Sequence, residues 1–142
     1  MKTNREVTRR DVIALAAALG IAPRIVAGQD QSMLTRSIPA GNEPLPVIGL
    51  GTWQVFDIDD KPELLQQRRE MVDRLVASGG SVIDSSPMYA SSEGIVGKVI
   101  EASGNRDELI LATKVWTSGE ADGRAQMKRS ADLMNAGVID LM

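Results

Sequence analysis

Apolar positions follow two rhythms along this chain. Residues 108–115 form a short, nearly continuous apolar run, as expected of a strand buried on both faces. Residues 47–52, 81–84 and 138–142 read as further strands. Between these runs, apolar residues recur at helical spacing. Leu64, Leu65, Met71, Val72, Leu75 and Val76 make one stripe, and Ile95, Val96, Val99 and Ile100 make a second. A third helix is expected over 120–135, with Met127, Ala131 and Met134 inward.

Local signals punctuate the same pattern. Asp60 with Glu63 three residues on resembles a capped helix start, and Gly79 and Gly80 a stop. Ser91 or Ser92 is expected to cap the second helix, which ends near Gly104 and Asn105. Residues 34–38 and 45–47 flank a cluster of Pro39, Gly41, Asn42 and Pro44, which predicts a short hairpin. The order is then strand, helix, strand, helix, strand, helix, strand. Such alternation implies a parallel α/β sheet with right-handed crossovers. Two architectures fit it, an open doubly wound sheet and part of a (β/α)8 barrel. A whole barrel takes about 250 residues, and only 110 of the 142 lie beyond residue 32.

The first 28 residues are of another character. Lys2, Arg5, Arg9 and Arg10 precede an apolar run over 12–22, too short for the roughly 20 residues of a membrane-spanning helix. Pro23 and the small residues Ala27 and Gly28 follow. This is the order of an export signal, and Arg9 with Arg10 points to the twin-arginine route and the periplasm. Asp11 and Arg24 depart from the pattern. The alternative is an amphipathic N-terminal helix on a cytoplasmic protein. Either way, residues 1–28 are set apart from the fold.

Composition narrows the chemistry. Net charge is -3 with both signs interspersed, which argues against nucleic acid as a partner. Once a signal is removed, nothing calls for a membrane. The chain has neither cysteine nor histidine, so a transition-metal site is not expected. Asp57, Asp59, Asp60 and Glu63 show no metal-ligand spacing, and Arg68, Arg69, Lys128 and Arg129 read as solvated helix faces. Gly49 and Gly51 lie within a strand and lack the spacing of a phosphate loop.

Candidate chemistry gathers at the strand ends. Thr52, Asp84 and Lys114 fall at or near the C-terminal ends of successive strands, the edge that carries active sites in parallel α/β folds. Tyr89 follows Asp84 by five residues. A free tyrosine, with a pKa of about 10, donates poorly at neutral pH. A neighbouring ammonium stabilises the phenolate, and a carboxylate keeps that ammonium charged and aimed. The tyrosine can then protonate a carbonyl oxygen. Singly, each residue has a plainer explanation: Asp84 caps a turn, Lys114 snorkels from a strand, Tyr89 sits on a surface loop. Their recurrence at successive strand ends favours a site.

Four motifs in order resemble the aldo/keto reductase family: Gly49 to Trp53, Asp84 to Tyr89, Ala112 to Lys114, and Ile139 to Met142. The resemblance covers residues 33–142. It implies the N-terminal half of a (β/α)8 barrel closed below by a short hairpin. It implies NADPH-dependent reduction of aldehydes or ketones to alcohols, with no metal. Tyr89 would be the general acid, tuned by Lys114 and Asp84. Gly51, Thr52, Trp53 and Asp84 would line the cofactor, and the partner would be a small carbonyl substrate. The family has Gly where Ala90 stands, and Gly94 interrupts a helix at a cost of roughly 0.5–1 kcal/mol. The family's catalytic histidine and the later strands that hold most of its cofactor are not among these residues. The expectation is therefore an incomplete reductase. The alternative is a non-catalytic half-barrel that decayed or pairs with another chain, with uncovered sheet edges open to self-association.

Overall fold

The computed structural model describes residues 33–142 except Ala40, so the expected export signal lies outside the described residues. The hairpin forms as β1 (Thr35–Ser37) and β2 (Pro44–Pro46), paired antiparallel with Arg36 opposite Leu45. The core elements follow in the expected order. They are β3 (Gly49–Gly51), α1 (Pro62–Ala77), β4 (Val82–Asp84), α2 (Ser92–Ser103), β5 (Ile110–Ala112) and α3 (Glu120–Leu133). A 3₁₀ turn at Arg106–Glu108 precedes β5.

β3, β4 and β5 are parallel, with Leu50, Ile83 and Leu111 in register. A bridge from Ala112 to Leu141 sets the 138–142 segment parallel to β5. The spatial order therefore follows the chain, without the reversal that marks a doubly wound sheet. It is the order of a (β/α)8 barrel. Among the described residues, the outer edge of β3 has no partner strand.

α1 starts at Pro62, whose fixed φ suits the first helical position. It lacks the expected cap: the N-cap is Lys61, with no side-chain capping bond. Asp60 instead pairs with Lys98 of α2. The helix ends as the glycine pair foretold. Gly79 takes a left-handed φ of 79°, while Gly80 N donates to Leu75 O and Gly79 N to Val76 O. Carbonyls of the last helical turn thereby gain partners beyond the helix. Ser91 is the N-cap of α2, as expected, but without a side-chain capping bond: Ser91 Oγ donates to Asp57 Oδ1, and Ser92 Oγ to Thr52 O.

The core joins one face of the sheet to the helices. Ile83 and Leu111 pack with Val72, Ile95, Val96, Val99 and Ile100, all buried. Of the residues expected inward on α3, Met134, just past the helix, is buried and Ala131 is half-buried, but Met127 is exposed; Gly123 and Ser130 are buried in addition. The cause is close helix packing. A Cβ on Gly97 would lie 2.1 Å from Leu133 O, so glycine lets α2 approach the backbone at the end of α3. The expected fourth strand shrinks to a single bridge. Asp140 Oδ2 takes the Leu111 N–H at 2.8 Å, and Arg106 ties Ala136, Val138 and Asp140 together.

Candidate active site

The strand ends place the predicted charges side by side. Lys114, two residues past β5, directs Nζ at Asp84 Oδ1 and Oδ2 (2.8 and 2.9 Å) and at Ser85 O (2.6 Å). Three acceptors match the three N–H donors of an ammonium. Both side chains remain partly exposed, 41% for Lys114 and 46% for Asp84. An ion pair this open contributes about 0–1 kcal/mol to stability. It is held for placement more than for energy.

Tyr89 lies on the loop between β4 and α2. Its N–H bonds Ser86 O, its C=O takes the Ser92 N–H, and Ala90 beside it has a left-handed φ of 48°. That is where the family motif carries glycine, and left-handed backbone costs an L residue roughly 1–2 kcal/mol. Lys114 Nζ stands 5.2 Å from the Tyr89 ring centroid, and the Trp53 ring 6.5 Å from it at 38°. Lysine thus faces the tyrosine through its charge, with its donors spent elsewhere.

The other predicted residues divide. Gly51 and Trp53 are exposed at the same edge. Thr52 departs from its expected place lining a pocket. It is 0% exposed, and its Oγ1 donates to Asp84 O (3.0 Å) and shares a 2.9 Å hydrogen bond with Ser85 Oγ. Met88, Val115 and Trp116 add an exposed apolar rim. Gln126 of α3 grips the Trp116 backbone at both N–H and C=O.

Sequence reasoning missed Ser85 and the buried pair of Glu93 and Thr113, joined at 2.7 Å. Glu93 shares a helix face with Val96 and Ile100, and that spacing was the signal available. A cavity of about 340 Å³ is lined by Pro87, Ala90, Glu93, Arg129 and Ser130, but by none of Asp84, Tyr89 and Lys114. Among the described residues, no group of three or more acidic side chains could hold a metal ion.

Dinucleotide binding meets a limit at this edge. The loops after the three strands, 52–61, 85–91 and 113–119, carry two cations, Lys61 and Lys114. Both are paired with carboxylates, Asp59 and Asp84. These loops therefore offer no unpaired cation to a phosphate.

Comparison with known proteins agrees with the strand order. Methylglyoxal reductase DkgA of Yersinia pestis is 29% identical over 98 residues, 68% of this chain and 32% of that protein. Aldo-keto reductase YhdN of Bacillus subtilis is 40% identical over 91 residues, 58% of this chain and 26% of that protein. The crystal structure of an aldo-keto reductase from Klebsiella pneumoniae in complex with NADPH matches with a TM-score of 0.61 at 27% identity. That match covers 76% of this chain and 38% of the other. The chain spans between a quarter and a third of the length of these curated relatives. The model of the aldo/keto reductase family matches residues 47–142, and its (β/α)8 barrel has the strand order found here; the chain belongs to that family.

Proposed function

We propose that these residues carry the proton-donating part of an NADPH-dependent carbonyl-reducing site. The observation that carries the reading is Lys114. At the C-terminal edge of a parallel sheet, it is held on Asp84 while its Nζ faces the Tyr89 ring at 5.2 Å. Support comes also from the named activities of the relatives, a methylglyoxal reductase and an aldehyde reductase. The nucleotide in the Klebsiella pneumoniae structure supports NADPH as the cofactor.

When bound, the reduced nicotinamide supplies a hydride to the carbonyl carbon and is itself oxidised. Tyr89 gives its phenolic proton to the carbonyl oxygen, so an alcohol forms and a phenolate remains. The Lys114 charge stabilises that phenolate across the ring, and Asp84 keeps the ammonium in place. Gly51 and Trp53 border the nicotinamide end, and Trp53, Met88 and Trp116 border the substrate.

The test is NADPH consumption by the purified protein with methylglyoxal or another small aldehyde, run beside NADH. Saturable turnover with NADPH is expected where these residues stand in a chain that also supplies the family's histidine and later strands. A folded protein that neither binds the nucleotide nor turns over overturns the reading, and favours the non-catalytic half-barrel. The same proposal takes the protein out of the cytoplasm by the twin-arginine route, supported by Arg9, Arg10 and the 12–22 apolar run. Replacing both arginines by lysine should then retain the protein in the cytoplasm, and unchanged export would refute the route.

A further inference from the structure

We propose that the buried hydroxyls of Thr52 and Ser85 form the positioning element that sets the Lys114–Asp84 pair. The inference deepens the reductase reading and rests on it for its catalytic meaning. Its geometry stands apart from that reading.

The peptide joining Asp84 to Ser85 governs every acceptor that Lys114 uses. Its two residues supply both carboxylate oxygens and the Ser85 carbonyl. That peptide is fixed from one side by Thr52. Thr52 N and Thr52 Oγ1 both donate to Asp84 O, each at 3.0 Å. Since the single hydroxyl proton of Thr52 goes to that carbonyl, Ser85 Oγ donates in the shared 2.9 Å bond. From the other side, Ser85 N donates to Ala112 O of β5. The chain of bonds runs β3 to β4 to β5, ending at the strand that leads to Lys114.

Burial makes the hydroxyls consequential. Thr52 and Ser85 are both 0% exposed, so no bulk water replaces a lost partner. Removing the Thr52 hydroxyl strips one of two donors from Asp84 O and leaves Ser85 Oγ with no partner in reach. A buried hydroxyl so stranded turns to find one, and turns the Ser85 peptide with it. The exposed ion pair is too weak to hold the geometry alone. Lys114 then loses the short Ser85 carbonyl contact and part of its hold on Asp84.

Lysine ammonium resonances report this directly, since three hydrogen bonds slow proton exchange with water. In ¹⁵N spectra, the Lys114 ammonium is identified by its disappearance in Lys114→Arg. Thr52→Val keeps the side-chain shape and should speed Lys114 exchange on the order of tenfold, with circular dichroism unchanged. Thr52→Ser should restore slow exchange, which a role in packing alone would not give. In the reductase assay, Thr52→Val should lower kcat while leaving KM for NADPH unchanged. Wild-type exchange in folded Thr52→Val overturns the proposal. Should Thr52→Val not fold, Ser85→Ala is read instead, with the same expected acceleration and the same overturning result. The exchange measurement needs no turnover, so failure of the reductase reading leaves it a clear answer.

Discussion

Asp84 and Lys114 sit among bonds running through three strands, whereas Trp53, Met88 and Trp116 stand on loops with 64%, 53% and 63% of their surfaces in solvent. The two halves of the site are thus placed by different physics. The charged corner is set by ladder bonds and buried hydroxyls that pairing of β3, β4 and β5 makes unavoidable. The aromatic rim is displayed by turns, with a few contacts such as Gln126 on Trp116 to steady it. Under the proposed reductase reading, a corner of the first kind would fix which proton moves, and a rim of the second kind would adjust to the shape of the substrate.

This contrast can be broken by substitution. Lys114→Met should cut turnover by roughly 10²–10⁴, the range of general acid–base contributions. Trp116→Ala should instead alter KM among carbonyl substrates by about 10–200-fold, the value of apolar contact in a pocket. Steady-state kinetics on both variants decides it, and equal losses of kcat would erase the distinction.

Support for the corner extends to the helix crossing behind it. Gly97→Ala sets a methyl against the Leu133 carbonyl, where no flexible side chain can yield. Urea unfolding should show a loss of about 1–3 kcal/mol. The rim, by contrast, carries strain. Ala90→Gly relieves the left-handed residue next to Tyr89 and should gain about 1 kcal/mol. Gly94 is the mildest case, because an added Cβ meets only Leu133 Cδ2 at 3.9 Å. Gly94→Ala should therefore stabilise α2 by roughly 0.5–1 kcal/mol. A thermal melt that ranks these two glycines equally would contradict the packing described.

Parts of this were legible in the residues alone. The stripe from Ile95 to Ile100 and the run around Leu111 declared themselves, because each buries an apolar face that any alternative would expose. Asp84 and Lys114 were legible because strand ends and their C-terminal edge follow from alternation. The start of α2 falls at Ser91 as expected, but the expected capping bonds of α1 and α2 do not form. Asp60 and Ser91 have capping chemistry, but each found a partner distant in sequence, Lys98 and Asp57. The face of α3 was read correctly at Met134, which is buried, but not at Met127. Periodicity weighs large apolar residues, whereas α3 sits on Gly97 of α2 at the Leu133 carbonyl and places Gly123 against Val115. Thr52 was placed on the right strand end, but nothing local reveals that its hydroxyl turns toward Ser85. Such bonds depend on the register between strands, which pairs Gly51 with Asp84 and is settled only when the sheet assembles.

The central claim is that Tyr89 delivers the proton in a carbonyl reduction. Its most direct test is Tyr89→Phe, which removes one oxygen and leaves the ring beside Trp53 and Lys114. Turnover with NADPH and a small aldehyde should fall by about 10² or more, while nucleotide binding, followed by fluorescence, stays as in the parent. Turnover retained within a few-fold of the parent would contradict the assignment.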